Sequence, residues 1–240
     1  MPHHLVRVAC AVHRPRIRRE SGRARRSREQ SVDLPFPSLP HFDMTQLRLT
    51  APMRRQHILD CALPIFGEHG FHDTSMNDIA HAAGITKPVI YQHFASKRDL
   101  YSALITELGE EMIAAVTQAT GNASDGKTQT QQGFHAYFTW VDRHQDGFRV
   151  LFGGAAQRDN EFASRVRQIR SEIANAVASM IVADIDVEEQ SLIAHAITGL
   201  AEGVSRRLIE NNLEFNPDEV ATAMGALAWA GLRALNPTSS

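Results

Sequence analysis

Between Thr74 and Phe94 the chain has room for little besides two short helices joined by a tight turn. Ser75-Met76-Asn77-Asp78 matches a capping box, in which a hydroxyl and a carboxylate three residues apart satisfy amides that the first turn leaves unpaired. Thr74 is the alternative cap. Met76, Ile79, Ala80 and Ala83 recur on one helical face, and Gly84 closes that helix. Only Ile85 and Thr86 separate the glycine from Lys87-Pro88, where another short helix can begin. Proline is tolerated in a first turn because its missing N–H would have had no partner there. A helix, a glycine turn and a second short helix make a helix-turn-helix, whose second member can enter the DNA major groove.

A longer helix precedes this unit. Ile58, Ala62, Ile65, Phe66 and His69 fall at the spacing of one buried face, and Gly70 supplies a left-handed cap that ends it. Pro64 removes one backbone hydrogen bond within that helix and predicts a kink. After the turn, Ser96 and Asp99 form a second capping box, placing Lys97 at a helix start.

The stretch FHDTSMNDIAHAAGITKPVIYQHFASKRDLYSALI, Phe71 to Ile105, resembles the DNA-binding head of the tetracycline-repressor (TetR) family. The likeness rests on Phe71-x-x-Thr74-Ser75, Ile79-Ala80, Ala83-Gly84, Tyr91-x-His93-Phe94 and Ser96-Lys97, and it extends over Arg54 to Ile105. It implies an all-α fold of about nine helices: a three-helix head over residues 51–99, then a helical body over 100–240 for dimerisation and ligand binding. It also implies base contacts from the positions of Lys87, Pro88 and Val89, and mainly backbone contacts from Thr74, Tyr91, His93 and Lys97.

The residue types agree with that division. Thr86 can cap the recognition helix or meet a phosphate oxygen, as can the neighbouring hydroxyl of Ser75 at the other cap. Lys87 can reach a guanine edge or a phosphate, Pro88 and Val89 offer apolar surface to thymine methyls, and Gln92 can read adenine. Tyr91 and His93 can donate to phosphates, and Lys97 sits where free amides and the helix dipole also favour one. Phe94, Ile79, Ile85 and Ile90 belong to the core.

Charge alone points elsewhere. Residues 1–50 carry 10 of the 25 basic side chains and 4 of the 27 acidic ones, so a basic tail precedes an acidic remainder although the whole chain is only −2. That tail has no helical or strand period and includes three prolines in LPFPSLP, a composition that cannot offset the entropy of ordering. It is read as a disordered tail or as sequence upstream of a start at Met44 or Met53, the alternative being an arm that adds phosphate contacts. Residues 51–100 balance five basic against five acidic side chains, so binding must rest on local placement and dimerisation.

Beyond Asp99 no strand pattern occurs. A fourth helix is expected from Lys97 to Thr120, a polar loop over Gly121 to Gly133, a helix through Phe134 that ends near Gly147, and a short one from Phe148 to Ala156. A long helix follows from Asn160 to Ala183, and two more, opened at Asp186 and Asn216-Pro217, finish the chain. Aromatic residues at helical spacing mark a candidate pocket among Phe134, Tyr137, Phe138, Trp140, Phe148 and Phe152, with His195 reaching in. Small residues at close spacing, Ala196, Gly199 and Gly203 in one helix and Ala221, Gly225, Ala228 and Leu232 in the next, mark a face for a twofold mate.

The expected function is a TetR-like transcriptional regulator: a homodimeric repressor on a palindromic double-stranded DNA operator, released by a small-molecule effector whose identity the sequence leaves open. An activator with the same head, or a helical interaction module without DNA binding, are the alternatives. The chain lacks a glycine-rich phosphate loop, a Gly-x-Ser-x-Gly elbow and a His-Glu-x-x-His pair, so no enzyme, cofactor or metal is expected. Its histidines are scattered, and Cys61 reads as a small buried apolar residue. Two cysteines and no bilayer-length apolar run suit the cytoplasm and no membrane.

Overall fold

A computed structural model describes residues 49–154 and 159–235, and these are helical with no strand. Among the described residues there are nine α-helices: α1 Ala51–Asp73, α2 Met76–Ala82, α3 Lys87–His93, α4 Lys97–Thr120, α5 Gly126–Arg143, α6 Gln145–Phe152, α7 Asn160–Ala178, α8 Val187–Glu210 and α9 Pro217–Leu232, the last continued by a 3-10 turn, Arg233–Leu235. The chain is thus all-α, with the helix-turn-helix first and the helical body after it. The basic tail up to residue 48, together with Ala155 and Ala156 of the expected short helix, lies outside the described residues.

The head is built as its capping residues dictate. Asp78 N–H donates to Ser75 Oγ at 3.2 Å and Ser75 N–H donates to Asp78 Oδ2 at 2.9 Å, so Ser75 and not Thr74 is the cap of α2. Gly84 takes φ +63°. Around it Ile85 N–H donates to Ala80 O and Gly84 N–H to His81 O, the paired bonds of a Schellman turn. A Cβ on Gly84 would meet nothing within 4 Å, so the glycine is required by backbone conformation alone. Ile58, Ala62, Phe66, Ile79, Ile90 and Phe94 close the core beneath.

Two expectations about α1 need correction. Its helical angles continue through Pro64, and the break comes at Gly70, whose φ of 74° is left-handed as expected but whose ψ of 177° is not that of a helix cap. His69 is exposed, whereas Leu59 and Cys61 are buried, because the inward face is wider than the single stripe and turns toward α4 and α6.

In the body the helix ends differ from the sequence pattern in three places. First, α5 begins at Gly126 within the polar stretch, because Asp125 accepts from Thr128 N–H at 2.8 Å and caps a turn whose outer face is simply exposed. Next, the break after α5 falls at His144, with φ −125° and ψ 48°, and Gly147 lies inside α6. This glycine answers a packing need: a Cβ there would stand 2.9 Å from Leu108 Cδ2. Last, α7 stops at Ala178, and the expected last turn is replaced by a loop whose Ile181 carbonyl accepts from Gln190 Nε2 at 2.8 Å.

One continuous core joins head to body through α4, whose 24 residues span about 36 Å. At its start Phe71, Tyr101 and Phe162 pack with ring centroids 4.7–5.1 Å apart. Tyr101 also donates to Val150 O at 3.2 Å. In the body α9 lies along α5 and α8 along α7.

Candidate nucleic-acid interface and the cavity of the body

The second helix of the helix-turn-helix, α3, turns Ile90 inward and presents Lys87, Pro88, Tyr91 and Gln92 outward. Thr86 caps it by position only: its hydroxyl makes no capping bond and is exposed. Lys87, Tyr91 and Gln92 bond to no other described residue, and Tyr91 is 45% exposed. Val89 and His93 are half-buried at the flanks. Ser75 is exposed beside them, but its hydroxyl is engaged with Asp78, whose pKa that bond lowers.

Two of the expected backbone-contact residues turn inward instead. Thr74 is only 2% exposed, and its hydroxyl donates to Gly70 O at 2.8 Å, which satisfies the carbonyl before the break in α1. Lys97 folds its ammonium over the same chain end, donating to Phe71 O at 2.6 Å, Thr74 O at 2.7 Å and His72 O at 3.2 Å, with the Phe71 ring 4.5 Å away. All three ammonium protons therefore have partners, and the lysine fastens α1 to α4. Sequence reasoning placed Lys97 at a helix N-terminus but could not see another helix's carbonyls standing in front of it.

Next to it, Arg98 reaches the body. Its guanidinium pairs with Asp159 at 2.7 Å and Glu161 at 3.0 Å, at the start of α7. Asp159 also caps α7, and the Arg98 hydrogen bond holds its pKa down to about 2.

The body encloses a cavity of about 470 Å³ between α4, α5, α7, α8 and α9, within the range of small-molecule pockets. Phe134, Tyr137, Phe152 and His195 line it. Phe138, Trp140 and Phe148 do not; they are packed into the core, each 4% exposed or less, Phe138 and Phe148 one turn along from Phe134 and Phe152 on the same helical faces, beyond the reach of the cavity. His195 is exposed at the rim and bonded to Ser191 O. The pattern missed most of the wall, which comes from Val116 and Thr120 on α4, Ile173 and Val177 on α7, the Met180–Ile181 loop, and Trp229.

It also missed the polar end. Arg170 donates to Glu202 through Nε and Nη2, both at 2.7 Å, and Arg206 donates to the same carboxylate at 2.8 Å and to Phe152 O at 3.0 Å. Burial works against the charged form of Glu202, yet the two guanidinium groups outweigh it and lower its pKa. The one legible signal was the i, i+4 spacing of Glu202, Arg206 and Glu210 along α8.

The small residues divide by face. Ala196, Gly199 and Gly203 are exposed on α8, and a Cβ on either glycine would meet nothing within 4 Å. Ala221 and Gly225 are buried, Gly225 against Gln131 and Phe134 of α5, so they serve packing within the subunit. Ala228 packs on the core and Leu232 lines the cavity. The exposed apolar members nearby are Leu192 and Leu227, at 67% and 57%. Among the described residues no three His, Cys, Asp or Glu side chains gather to hold a metal, and no helix is long and apolar enough to cross a membrane.

Comparison with known proteins matches both parts. Residues 58–104 match "Bacterial regulatory proteins, tetR family" and residues 127–231 match "Tetracyclin repressor-like, C-terminal domain". A TetR-like transcriptional regulator from Rhodococcus sp. RHA1 superposes with a TM-score of 0.66 at 30% identity, covering 78% of this chain and 99% of that one. The HTH-type transcriptional activator FasR of Mycolicibacterium smegmatis is 27% identical over 187 residues, 77% of this chain and 85% of FasR. The regulator FadR of Bacillus subtilis, solved with stearoyl-CoA, shares the fold at a TM-score of 0.64 and 18% identity, over 73% of this chain and 97% of that one. The chain belongs to the TetR family of transcriptional regulators.

Proposed function

We propose that this regulator works as a homodimer on a palindromic DNA operator and represses transcription until a small molecule enters the body. The observation that carries the reading is the outer face of α3, where Lys87, Tyr91 and Gln92 stand exposed and without partners on a helix locked in place by the capping box and the Schellman turn. Lys87 with Pro88 and Val89 reads base edges; Tyr91, His93, Thr86 and Ser75 hold the phosphate backbone. The head occupies residues 51–99 and the body the rest, with α4 shared between them.

Two recognition helices must be set about one DNA turn apart. The exposed face of α8 and α9, with Leu192, Ala196, Gly199, Gly203 and Leu227, supplies the surface for a second copy. The cavity supplies the room for an effector, and FadR is a protein of this fold solved in complex with a small molecule, stearoyl-CoA. An effector that fits better when the heads are splayed lowers DNA affinity by the difference in its binding energy.

The test is quantitative footprinting and anisotropy on the DNA upstream of the chain's own coding region, with the mass in solution measured in parallel. Selective protection of a palindrome by a dimer is expected. A monomer at micromolar concentration, or equal affinity for unrelated DNA, would overturn the reading. Activation is the second reading, supported by the likeness to FasR; a protected site upstream of a promoter, with transcription lost when the chain is removed, would favour it.

A further inference from the structure

We propose that the cavity takes an apolar-chain carboxylic acid, bound with its acid group inward against Tyr137 and Arg170. This rests on the effector reading above but names the ligand's chemistry. The cavity wall is mostly aliphatic and aromatic: Val116, Phe134, Ile173, Val177, Ile181 and Trp229. Such a wall favours a chain that buries apolar surface.

Its polar end differs. Tyr137 is a wall residue only 8% exposed, and its hydroxyl has no hydrogen-bond partner. Ser205, wholly buried beside it, is also without one. Even if these two hydroxyls turned toward each other, one of their two protons would remain unused. A buried donor without an acceptor is costly, so the site is short of one acceptor.

Arg170 and Glu202 stand in the same wall, and Tyr137 lies within their electrostatic reach. Arg206 is also paired with Glu210 at 3.3 Å, so the two arginines and two glutamates balance, and what this end offers a ligand is hydrogen-bond donors. Arg170 spends Nε and Nη2 on Glu202, and Nη1 makes no bond to a described residue. A carboxylate accepts from Tyr137 with one oxygen and takes the spare guanidinium edge of Arg170 with the other. An ammonium brings donors where an acceptor is needed. An alcohol supplies the acceptor without the charge.

The probe set is laurate, lauryl alcohol, dodecylamine and lauroyl-coenzyme A, titrated against the full chain by calorimetry and, in a Trp140→Phe background, by the fluorescence of Trp229, which lines the cavity. Laurate is expected to bind at least tenfold more tightly than the alcohol or the amine. Tyr137→Phe should weaken laurate about tenfold with the melting temperature preserved, and Arg170→Met should abolish the preference for the acid over the alcohol. Because Tyr137→Phe keeps the ring, it decides the matter even if Arg170→Met fails to fold.

Equal binding of acid and alcohol, or an acid preference untouched by either variant, would overturn the assignment. So would binding of the thioester that free laurate does not compete away, since its polar part has to remain at the mouth. An acid that binds with the expected selectivity yet leaves operator binding unchanged supports this inference and removes the release mechanism instead. Loss of operator binding in an otherwise normal binding assay would touch only the proposed function.

Discussion

The head and the body of this protein put their working chemistry in opposite places. The head packs Ile58, Phe66, Ile79, Ile90 and Phe94 together and carries its polar groups on an outward face, where Lys87, Tyr91 and Gln92 are exposed above the wholly buried Ile90. The body keeps a space inside itself and turns polar groups toward it, Tyr137 and the Arg170–Glu202 pair. A surface that must match a rigid groove needs a fixed backbone and projecting side chains. A pocket needs neighbouring helices that fail to close. The difference teaches where a substitution acts: through stability in the shared core, through recognition on α3, and through coupling at the seam.

The largest effect should come from breaking the head's filled interior. Phe94 is fully buried, with Arg55 4.4 Å over its ring, and Phe94→Ala should cost about 3–5 kcal/mol. Chemical denaturation would measure that, and operator binding should be lost while Trp229, in a Trp140→Phe background, still reports a formed cavity in the body. If both are lost together, head and body are one cooperative unit.

The two head lysines offer a finer test. Lys87→Ala should leave stability unchanged and cost about 1–3 kcal/mol of discrimination among operator sequences. Lys97→Met removes the donor from three carbonyls; it should lower stability by about 1–2 kcal/mol and weaken every DNA sequence alike. Selection on an operator library together with thermal melts would separate them. A shift of sequence preference in Lys97→Met would return that residue to the interface.

The smallest effect belongs to the seam. Arg98→Ala should leave effector-free operator affinity nearly intact and reduce the response to a ligand, because α7 carries both Asp159 and the cavity residue Ile173. The ion pair has a definite pH signature. Asp159 is held at about 2, below its ordinary 3.8, so its contribution is complete above about pH 4 and is lost as pH falls toward 2. Wild type and Arg98→Ala should therefore differ in denaturation midpoint at pH 5 and converge near pH 2. A difference that persists at pH 2 would mean that Asp159 is not the partner that matters.

How legible each part was follows from the range of the forces involved. Caps, turns and helix faces are set by residues within four positions of one another, so the helix-turn-helix and its outward side chains could be read directly. The same reasoning erred wherever a residue's role depended on something distant. Gly147 looks like a breaker until Leu108 is seen beside it, and Gly225 looks like an interface residue until α5 is. Thr74 and Lys97 look like phosphate ligands until the end of α1 is placed within their reach.

Sequence by itself determined that this chain is all-helical, that it carries a recognition helix starting at Lys87, and that the tail's positive charge is separate from that helix. Tertiary structure decided which aromatics border empty space and which are filled in, that the Glu202 carboxylate gathers two arginines from different helices, and that α4 is tied to α7 by Arg98. The physical reason is that a helix is closed by its own backbone, residue by residue. A cavity and a seam exist only between helices, where the distance that matters is measured across space.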